Sequence, residues 1–271
     1  MSIKLGIIGG GVMAEAILSR LVNQRIYAGT EILVSDPQEQ RGDYLAKKYQ
    51  IEVTVNNQAV LQATEVLLLA IKPQVLSQVL SSLSPLEQSG SKPLVISILA
   101  GVPLAVLETG LKDYCIIRAM PNTPASVGAG ITAIAPGKGI TREQLALAST
   151  ILSAIGKVVE VPESLMDAVT GLSGSGPAYV ALMIEALSDG GVAVGLPRAI
   201  ASQLALQTVL GTAQLLETEK LHPAELKDRV TSPGGTTIAG VAQLEKGGFR
   251  SALIEAVKAA HARSQSLGKS W

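Results

Sequence analysis

The chain has 271 residues, with 22 Lys and Arg balanced by 22 Asp and Glu, and aromatic residues make up 3%. This length suits two ordinary domains, and the balanced charge with few aromatic rings argues against nucleic-acid binding. A single cysteine, Cys115, excludes an internal disulfide, and the two histidines, His222 and His261, lack the spacing of metal ligands.

The apolar fraction of 47% is high for a monomer and predicts buried contacts between subunits. The best candidate for a membrane span, 178–194, is interrupted by Glu185 and Asp189. The N-terminal residues show no convincing signal-peptide cleavage site. We therefore expect a cytoplasmic homo-oligomer that does not enter a membrane.

The first motif is a glycine-rich turn between a predicted strand at 3–8 and a predicted amphipathic helix at 15–26. It follows the pattern G-x-G-x-x-A. In dinucleotide-binding folds the first glycine makes the turn, the second lets the backbone approach a pyrophosphate, and the alanine keeps helix and strand close. The residues expected to contact a dinucleotide here are Gly9, Gly10, Gly11, Val12, Met13 and Ala14.

A second strand is predicted at 31–35, and in such folds its tip lies beside the adenosine ribose. Asp36 could accept a hydrogen bond from the ribose 2′-OH, which favours NADH. Ser35 and Arg41 could instead serve a 2′-phosphate, which favours NADPH. An ordinary turn at the start of a helix explains the same residues equally well. The choice between the two coenzymes stays open at this stage.

The rest of the first half continues to alternate strands and helices. The uniformly apolar run 66–71 is typical of a parallel strand covered on both faces. Further strands are predicted at 51–55, 94–99, 115–119, 131–135 and 158–161, a short helix capped by Asn56 or Asn57, and helices at 38–49 and 142–155. We therefore expect an α/β Rossmann domain over residues 1–161.

Several turns follow strands at the carboxyl edge, where ligands of open α/β sheets bind. After the strand at 66–71, we expect the rigid backbone, rather than the Lys72 ammonium, to contact the ligand. The stiff loop 120–124 suits a nicotinamide face or a polar substrate atom, and a purely structural connection is equally compatible. The coenzyme candidates at this edge are Ala70, Lys72, Pro73, Ala100, Gly101 and Asn122.

From residue 163 onward only helices are predicted. They cover 165–171, a long apolar segment that opens at 173–177 and runs to 189, a segment from 197 to about 219, another from 222, and 249–266. Helices that are apolar nearly all round must be covered, and a second copy of the chain is the expected cover. We therefore expect an all-α dimerisation and substrate-binding domain over residues 162–271.

Residues 231–237, Thr-Ser-Pro-Gly-Gly-Thr-Thr, predict a tight turn that leads into a helix which the threonines can cap. Free N–H groups at such a helix start hold an anion without lysine or arginine. A plain corner between two helices is the simpler alternative. The turn could face the edge of a bound coenzyme, either in the same chain or in the partner subunit.

The chemistry of this second half is suggested by a missing group. A nicotinamide enzyme that reduces a ketone normally requires a general acid to protonate the forming alkoxide, and few candidates are present. A protonated imine accepts hydride without developing an oxyanion and needs only positioning. We therefore expect the N–H groups of Gly234, Gly235 and Thr236 to bind a substrate carboxylate, and Thr237 Oγ to contact the imine nitrogen.

Several motifs together resemble the pyrroline-5-carboxylate reductase family. They are Gly9-x-Gly11-x-x-Ala14, 70–73 (Ala-Ile-Lys-Pro), 120–124 (Met-Pro-Asn-Thr-Pro), 171–179 (Gly-Leu-Ser-Gly-Ser-Gly-Pro-Ala-Tyr), 189–191 (Asp-Gly-Gly) and 232–237 (Ser-Pro-Gly-Gly-Thr-Thr). The resemblance spans essentially the whole chain. It implies reduction of 1-pyrroline-5-carboxylate to L-proline with NADPH or NADH, the last step of proline synthesis.

The resemblance also implies an N-terminal Rossmann domain and a C-terminal helical dimerisation domain, in dimers that assemble further into a pentamer of dimers. It assigns Ser232 and 234–237 to the substrate, Thr237 to proton donation and Asn56 to the coenzyme ribose. Asp36 stands where related members often carry a small or neutral residue, which puts a strong NADPH preference in doubt.

Two alternatives remain at this stage. Another imine reductase or a β-hydroxyacid dehydrogenase would share the Rossmann half, but the dehydrogenases carry a catalytic lysine on a long helix, and none is recognised here. A non-catalytic dinucleotide sensor would bind coenzyme without turnover.

Overall fold

The computed structural model describes residues 2–83, 92–269 and 271. The chain forms two compact units. The first comprises Met1–Gly174 and Ala259–Trp271, and the second comprises Ser175–Lys258.

The division between the units lies beyond the boundary predicted at residue 161. Met166 is buried against Ala135 of the sheet, and the Ser264 hydroxyl donates a 2.6 Å hydrogen bond to the Asp167 carboxylate. These contacts attach both the segment after residue 161 and the end of the chain to the first unit. The predicted boundary lies where strand patterns give way to helical ones, and that change of pattern does not report such contacts.

A sheet forms the middle layer of the first unit, and among the described residues it has eight strands in the order β3-β2-β1-β4-β5-β6-β7-β8. They are β1 (Leu5–Ile8), β2 (Ile32–Ser35), β3 (Glu52–Thr54), β4 (Val66–Leu69), β5 (Leu94–Ser97), β6 (Ile116–Met120), β7 (Gly130–Pro136) and β8 (Gly156–Glu160). All neighbours are parallel except β6 and β7. The predicted strands are confirmed, with ends that differ by at most two residues.

Helices cover both faces of this sheet. They are α1 (Val12–Asn23), α2 (Glu39–Tyr49), α3 (Asn57–Val60), α4 (Leu76–Ser81), α5 (Leu104–Gly110), α6 (Arg142–Ser153) and α7 (Met166–Val169). Ile17 of α1 and Ile151 of α6 share one core with Ile7, while Leu107 of α5 shares the opposite core with Ile8. Because neighbouring residues of a strand point to opposite faces, β1 is buried on both.

The strand order reverses at β1, which lies between β2 and β4. Ligands of open α/β sheets bind at such a point, in the crevice outside the carboxyl ends of the strands. The glycine turn at 9–11 follows β1 directly and therefore lies at this edge. The predicted Rossmann architecture is confirmed.

The second half of the chain is helical, as predicted. Its helices are α8 (Gly176–Ala193), α9 (Arg198–Glu219), α10 (Pro223–Arg229), α11 (Thr236–Lys246) and α12 (Phe249–Gly268). The sequence predicts that residues 173–177 begin a new helix. In the structure a π-helical segment, Thr170–Gly174, connects α7 to α8, so the helical conformation is nearly continuous there. A Cβ at Gly174 would lie 2.8 Å from Met120 Cε, so the glycine permits close packing of this segment against β6.

Large apolar side chains are exposed along α8 and α9 of the second unit. Leu182 is 66% exposed and Leu206 is 56% exposed. By length and composition α9 is apolar enough to cross a membrane, and only 11% of its most apolar window is buried within this chain. The segment predicted as the best such candidate was 178–194, whereas among the described residues the helix that meets these criteria is α9. Exposed apolar helices of this extent require a covering surface.

Candidate active site

The glycine turn after β1 is formed by a backbone conformation that requires Gly9. Its φ is +97°, and its N–H donates a 2.8 Å hydrogen bond to the Ser35 carbonyl at the end of β2. A Cβ at this position would lie 2.7 Å from the Ala70 carbonyl oxygen. The first glycine therefore makes the turn, and it also brings β4 close to the turn.

Gly11 has the opposite environment. A Cβ built on it would meet no atom of the described residues within 4 Å, so its backbone faces open space. Helix α1 begins at the next residue, Val12, which is 82% exposed, whereas Ala14 is buried. The bond from Glu15 N to the Gly11 carbonyl, 2.9 Å, starts the helical pattern. The N–H groups of residues 12–14 lie before this bond, at the start of the helix, and such an arrangement suits an anion.

Asp36 links the tip of β2 to the glycine turn. Its Oδ2 accepts a 2.8 Å hydrogen bond from Gly10 N, and its Oδ1 accepts a 2.9 Å hydrogen bond from Gln38 N. The neighbouring Ser35 hydroxyl is buried and donates to Asn57 Oδ1 at 2.7 Å. The structure therefore orients the Asp36 carboxylate along the turn and directs the Ser35 side chain into the fold.

Behind the turn lies a polar cluster centred on Glu15. Its carboxylate accepts hydrogen bonds from four side chains of α2, which are Arg41 at 2.6 Å, Tyr49 at 2.8 Å, Lys48 at 2.9 Å and Tyr44 at 3.1 Å. Burial raises the pKa of Glu15, but these hydrogen bonds outweigh it and lower the pKa to about 2. Hydrogen bonds of Lys48 with Tyr44, and then with Glu15 and Tyr49, raise the pKa of Lys48.

Arg41 extends this cluster to the turn itself, because its Nε donates a 2.6 Å hydrogen bond to the Gly10 carbonyl. Gly10 is therefore held on both sides, its N–H by Asp36 and its carbonyl by Arg41. From the sequence, Glu15 was expected only to begin the amphipathic helix at 15–26. A usable signal was present, since Arg41, Tyr44 and Lys48 recur at helical spacing on α2.

Other predicted coenzyme residues lie on the turns that follow their strands. Asn56 caps α3, because its Oδ1 accepts from Gln58 N at 2.9 Å, which resolves the choice between the two asparagines. Pro73 opens a short 3-10 turn, Pro73–Val75, and Lys72 is its N-cap. Gly101, after Ala100, has a φ of +73°.

The side chain of Asn122 makes structural hydrogen bonds within the fold and is not left open at the carboxyl edge of the sheet. Its Nδ2 donates to the Ser173 carbonyl at 3.1 Å, and its Oδ1 accepts from Ile131 N at 3.0 Å. Both ends of the amide thus join the loop to the π-helical segment and to β7. Of the two interpretations of this loop, the geometry favours a structural connection for this side chain.

The turn at 231–237, in the second unit, has the predicted form. Gly234 has a φ of +67°, and Gly235 N donates a 3.0 Å hydrogen bond to the Ser232 carbonyl. Helix α11 begins at Thr236 with Gly235 as its N-cap, and that cap makes no side-chain hydrogen bond. The expectation that the threonines cap this helix was wrong, because they lie inside its first turn. A Cβ at Gly234 would meet no described atom within 4 Å.

The two turns share one property. Each leads into a helix of at least 11 residues and presents a glycine backbone to open space. An N–H array at a helix start suits phosphate or carboxylate oxygens. Their local geometry therefore fits two different anions, one in each unit.

Two family descriptions match the chain. "Pyrroline-5-carboxylate reductase dimerisation" matches residues 163–267, and "NADP oxidoreductase coenzyme F420-dependent" matches residues 4–101. The second match covers the glycine turn and β1 to β5. The first covers the apolar helices and the turn at 231–237.

Relatives match over nearly the full length. A pyrroline-5-carboxylate reductase of Synechocystis sp. is 66% identical, over 99% of this chain and 100% of the relative. One of Methanosarcina acetivorans is 47% identical, over 98% of each chain. The crystal structure of a Plasmodium falciparum pyrroline carboxylate reductase with NADP bound is 32% identical, covers 98% of each chain and has a TM-score of 0.87.

The Glu15 cluster leads to a prediction about stability. The pKa of Glu15 lies at about 2 against an ordinary 4.5, so its stabilising effect is complete above the ordinary value and is lost as the pH falls towards 2. We expect Glu15→Gln to lower the free energy of unfolding by about 1–2 kcal/mol at pH 7. The difference from wild type should narrow as the pH is lowered from 5 to 3.5.

Thermal unfolding of both proteins across this pH range measures the effect. Glu39→Gln is the matched control, because Glu39 is an exposed carboxylate in the first turn of α2. A loss of stability for Glu15→Gln that is the same at pH 7 and pH 3.5 would show that the charge of Glu15 contributes nothing.

Proposed function

The chain belongs to the pyrroline-5-carboxylate reductase family, and we infer that it is an oxidoreductase that reduces 1-pyrroline-5-carboxylate to proline with NADPH or NADH. The observation that carries this conclusion is the 66% identity to a curated reductase along the full length of both chains. The reaction is the last step of proline biosynthesis.

The glycine turn at 9–14 is the proposed pyrophosphate site. The open approach at Gly11 and the N–H groups at the start of α1 fit this group, and no lysine is needed. When bound, the reduced nicotinamide supplies the hydride. Further coenzyme contacts are proposed for Ser35, Asp36, Asn56, Ala70, Lys72, Pro73, Ala100, Gly101 and Asn122. For Ser35 and Asn122 the proposed contact is through the backbone, because their side chains are engaged within the fold.

The turn at 231–237 is the proposed substrate site. The N–H groups of Gly234, Gly235 and Thr236 hold the carboxylate, and the exposed Ser232 hydroxyl beside Gly235 adds a further donor. Thr237 Oγ is proposed to accept a hydrogen bond from the N–H of the protonated imine, and to become the proton donor once hydride transfer has given the ring nitrogen a lone pair. A protonated imine develops no oxyanion on reduction, so positioning by the backbone and one hydroxyl suffices.

A second copy of the chain is the proposed cover for the exposed apolar side chains of α8 and α9. The matched dimerisation family spans this region, and burial in a dimer explains helices that are apolar on faces left open in one chain. The apolar character of α9 therefore belongs to an interface and not to a membrane, which fits a cytoplasmic enzyme. Assembly into a pentamer of dimers is proposed from the family resemblance.

The proposed activity is tested by following oxidation of NADH and NADPH, in parallel, in the presence of 1-pyrroline-5-carboxylate, with proline quantified as product. We expect oxidation with at least one coenzyme and an equal amount of proline formed. Coenzyme binding without turnover would instead indicate a dinucleotide sensor.

The contrast between Gly9 and Gly11 gives a paired prediction. Gly9→Ala should destabilise the first unit by about 2 kcal/mol or more, because it combines a positive φ with a contact to the Ala70 carbonyl. Gly11 has a φ of −66° and open space, so Gly11→Ala should leave the melting temperature unchanged.

The Cβ of Gly11→Ala would project into the proposed pyrophosphate approach, and coenzyme affinity should fall by about tenfold or more. Fluorescence titration with reduced coenzyme measures this loss. Unchanged affinity in the Gly11→Ala protein would exclude this approach as the pyrophosphate site.

Thr237 gives a prediction about the chemical step. Thr237→Ala should lower kcat by about 10- to 100-fold while coenzyme affinity is retained, because only a donor to the substrate nitrogen is lost. Thr237→Ser is the matched control and should restore most of kcat. If kcat of Thr237→Ala equals that of wild type, the hydroxyl has no part in the reaction.

A further inference from the structure

We propose that this chain binds NADH in preference to NADPH and that Asp36 is the residue responsible. Glu15 contributes by pairing with Arg41, so that Arg41 does not bind the 2′-phosphate of NADPH. The proposal rests on the proposed function, because it concerns the adenosine end of the same coenzyme site. The two coenzymes differ only in a 2′-phosphate on that ribose, so discrimination depends on the charges and donors there.

The first step is the position of Asp36. It follows β2, and in folds of this type the tip of the second strand lies beside the adenosine ribose. Its two carboxylate oxygens each accept one backbone N–H, from Gly10 at 2.8 Å and from Gln38 at 2.9 Å. The carboxylate is thus fixed next to the glycine turn, and each oxygen retains lone-pair capacity for a ribose hydroxyl.

The second step is that a 2′-phosphate would require a free hydrogen-bond donor at the tip of β2, and the Ser35 hydroxyl is not free to serve as one. The Ser35 hydroxyl is 1% exposed and donates to Asn57 Oδ1 at 2.7 Å. Its proton is therefore committed within the fold. The side chain at the tip of β2 that remains directed along the turn is the Asp36 carboxylate.

The third step is the state of Arg41, the cation that would otherwise bind a phosphate. Its Nη2 lies 2.6 Å from Glu15 Oε2, and its Nε lies 2.6 Å from the Gly10 carbonyl. The neighbouring cation Lys48 is paired with the same carboxylate at 2.9 Å. The guanidinium also lies 5.1 Å from the centre of the Tyr44 ring. Its charge and its two short hydrogen bonds are used to support the turn.

The fixed carboxylate of Asp36 therefore favours the coenzyme without a 2′-phosphate. A 2′-phosphate would bring about two negative charges towards a fixed carboxylate whose nearest N–H donors are already engaged. A ribose 2′-OH at the same place would donate to that carboxylate. Two negative groups placed side by side without a cation between them repel each other even in a polar environment. We therefore expect Kd for NADPH to exceed Kd for NADH on the order of tenfold or more.

The test measures Kd of the full-length protein for NADH and NADPH by fluorescence titration, and kcat/KM with each coenzyme. Wild type is compared with Asp36→Asn, which keeps the shape and the acceptor for Gly10 N and removes the charge. The expected result is a preference for NADH in wild type, and a ratio of the two Kd values that shifts towards NADPH by about tenfold in the variant.

Glu39→Gln is the matched control, since it removes one negative charge from an exposed position three residues away and should leave the ratio unchanged. Glu15→Gln, compared under conditions where it is folded, should also shift the ratio towards NADPH, because Arg41 is released. Tighter binding of NADPH by wild type, or an equal ratio in wild type and Asp36→Asn, would overturn the proposal. A Kd preference for NADH without turnover would uphold the proposal and overturn the proposed function instead.

Discussion

The structure of the glycine turn after β1 depends on how the N–H and the carbonyl of Gly10 are held. Asp36 accepts from its N–H, Arg41 donates to its carbonyl, and Glu15 orients Arg41. The three contacts tie β2, α1 and α2 to one turn, which fixes the start of α1 and leaves Gly11 facing open space. The backbone of this turn is therefore already held in the conformation in which we propose that it binds an anion.

The two glycine-rich turns use backbone donors for the same physical reason. An N–H array at a helix start offers several donors at fixed positions and a partial positive charge. At the turn preceding α11 this arrangement would recognise a carboxylate without placing a full cation near a protonated imine. A lysine or arginine there would disfavour the cationic substrate that hydride transfer needs.

Much of the fold could be predicted from the sequence, because short apolar runs and glycine turns report local structure directly. The eight strands, the helical second half and the turn before α11 were predicted in this way. The Glu15 cluster was not, because its partners lie 26 to 34 residues away and meet only after α1 and α2 pack. The commitment of the Asn122 amide to Ser173 and Ile131 depends likewise on tertiary contacts.

We propose that backbone N–H groups at 234–236 hold the substrate carboxylate while the turn at 9–14 holds the coenzyme. A crystal structure of the full-length protein with oxidised coenzyme and L-proline tests it most directly. We expect the proline carboxylate within about 3 Å of those N–H groups and the pyrophosphate at the start of α1. A carboxylate bound instead by a lysine or arginine side chain, away from 234–236, would contradict it.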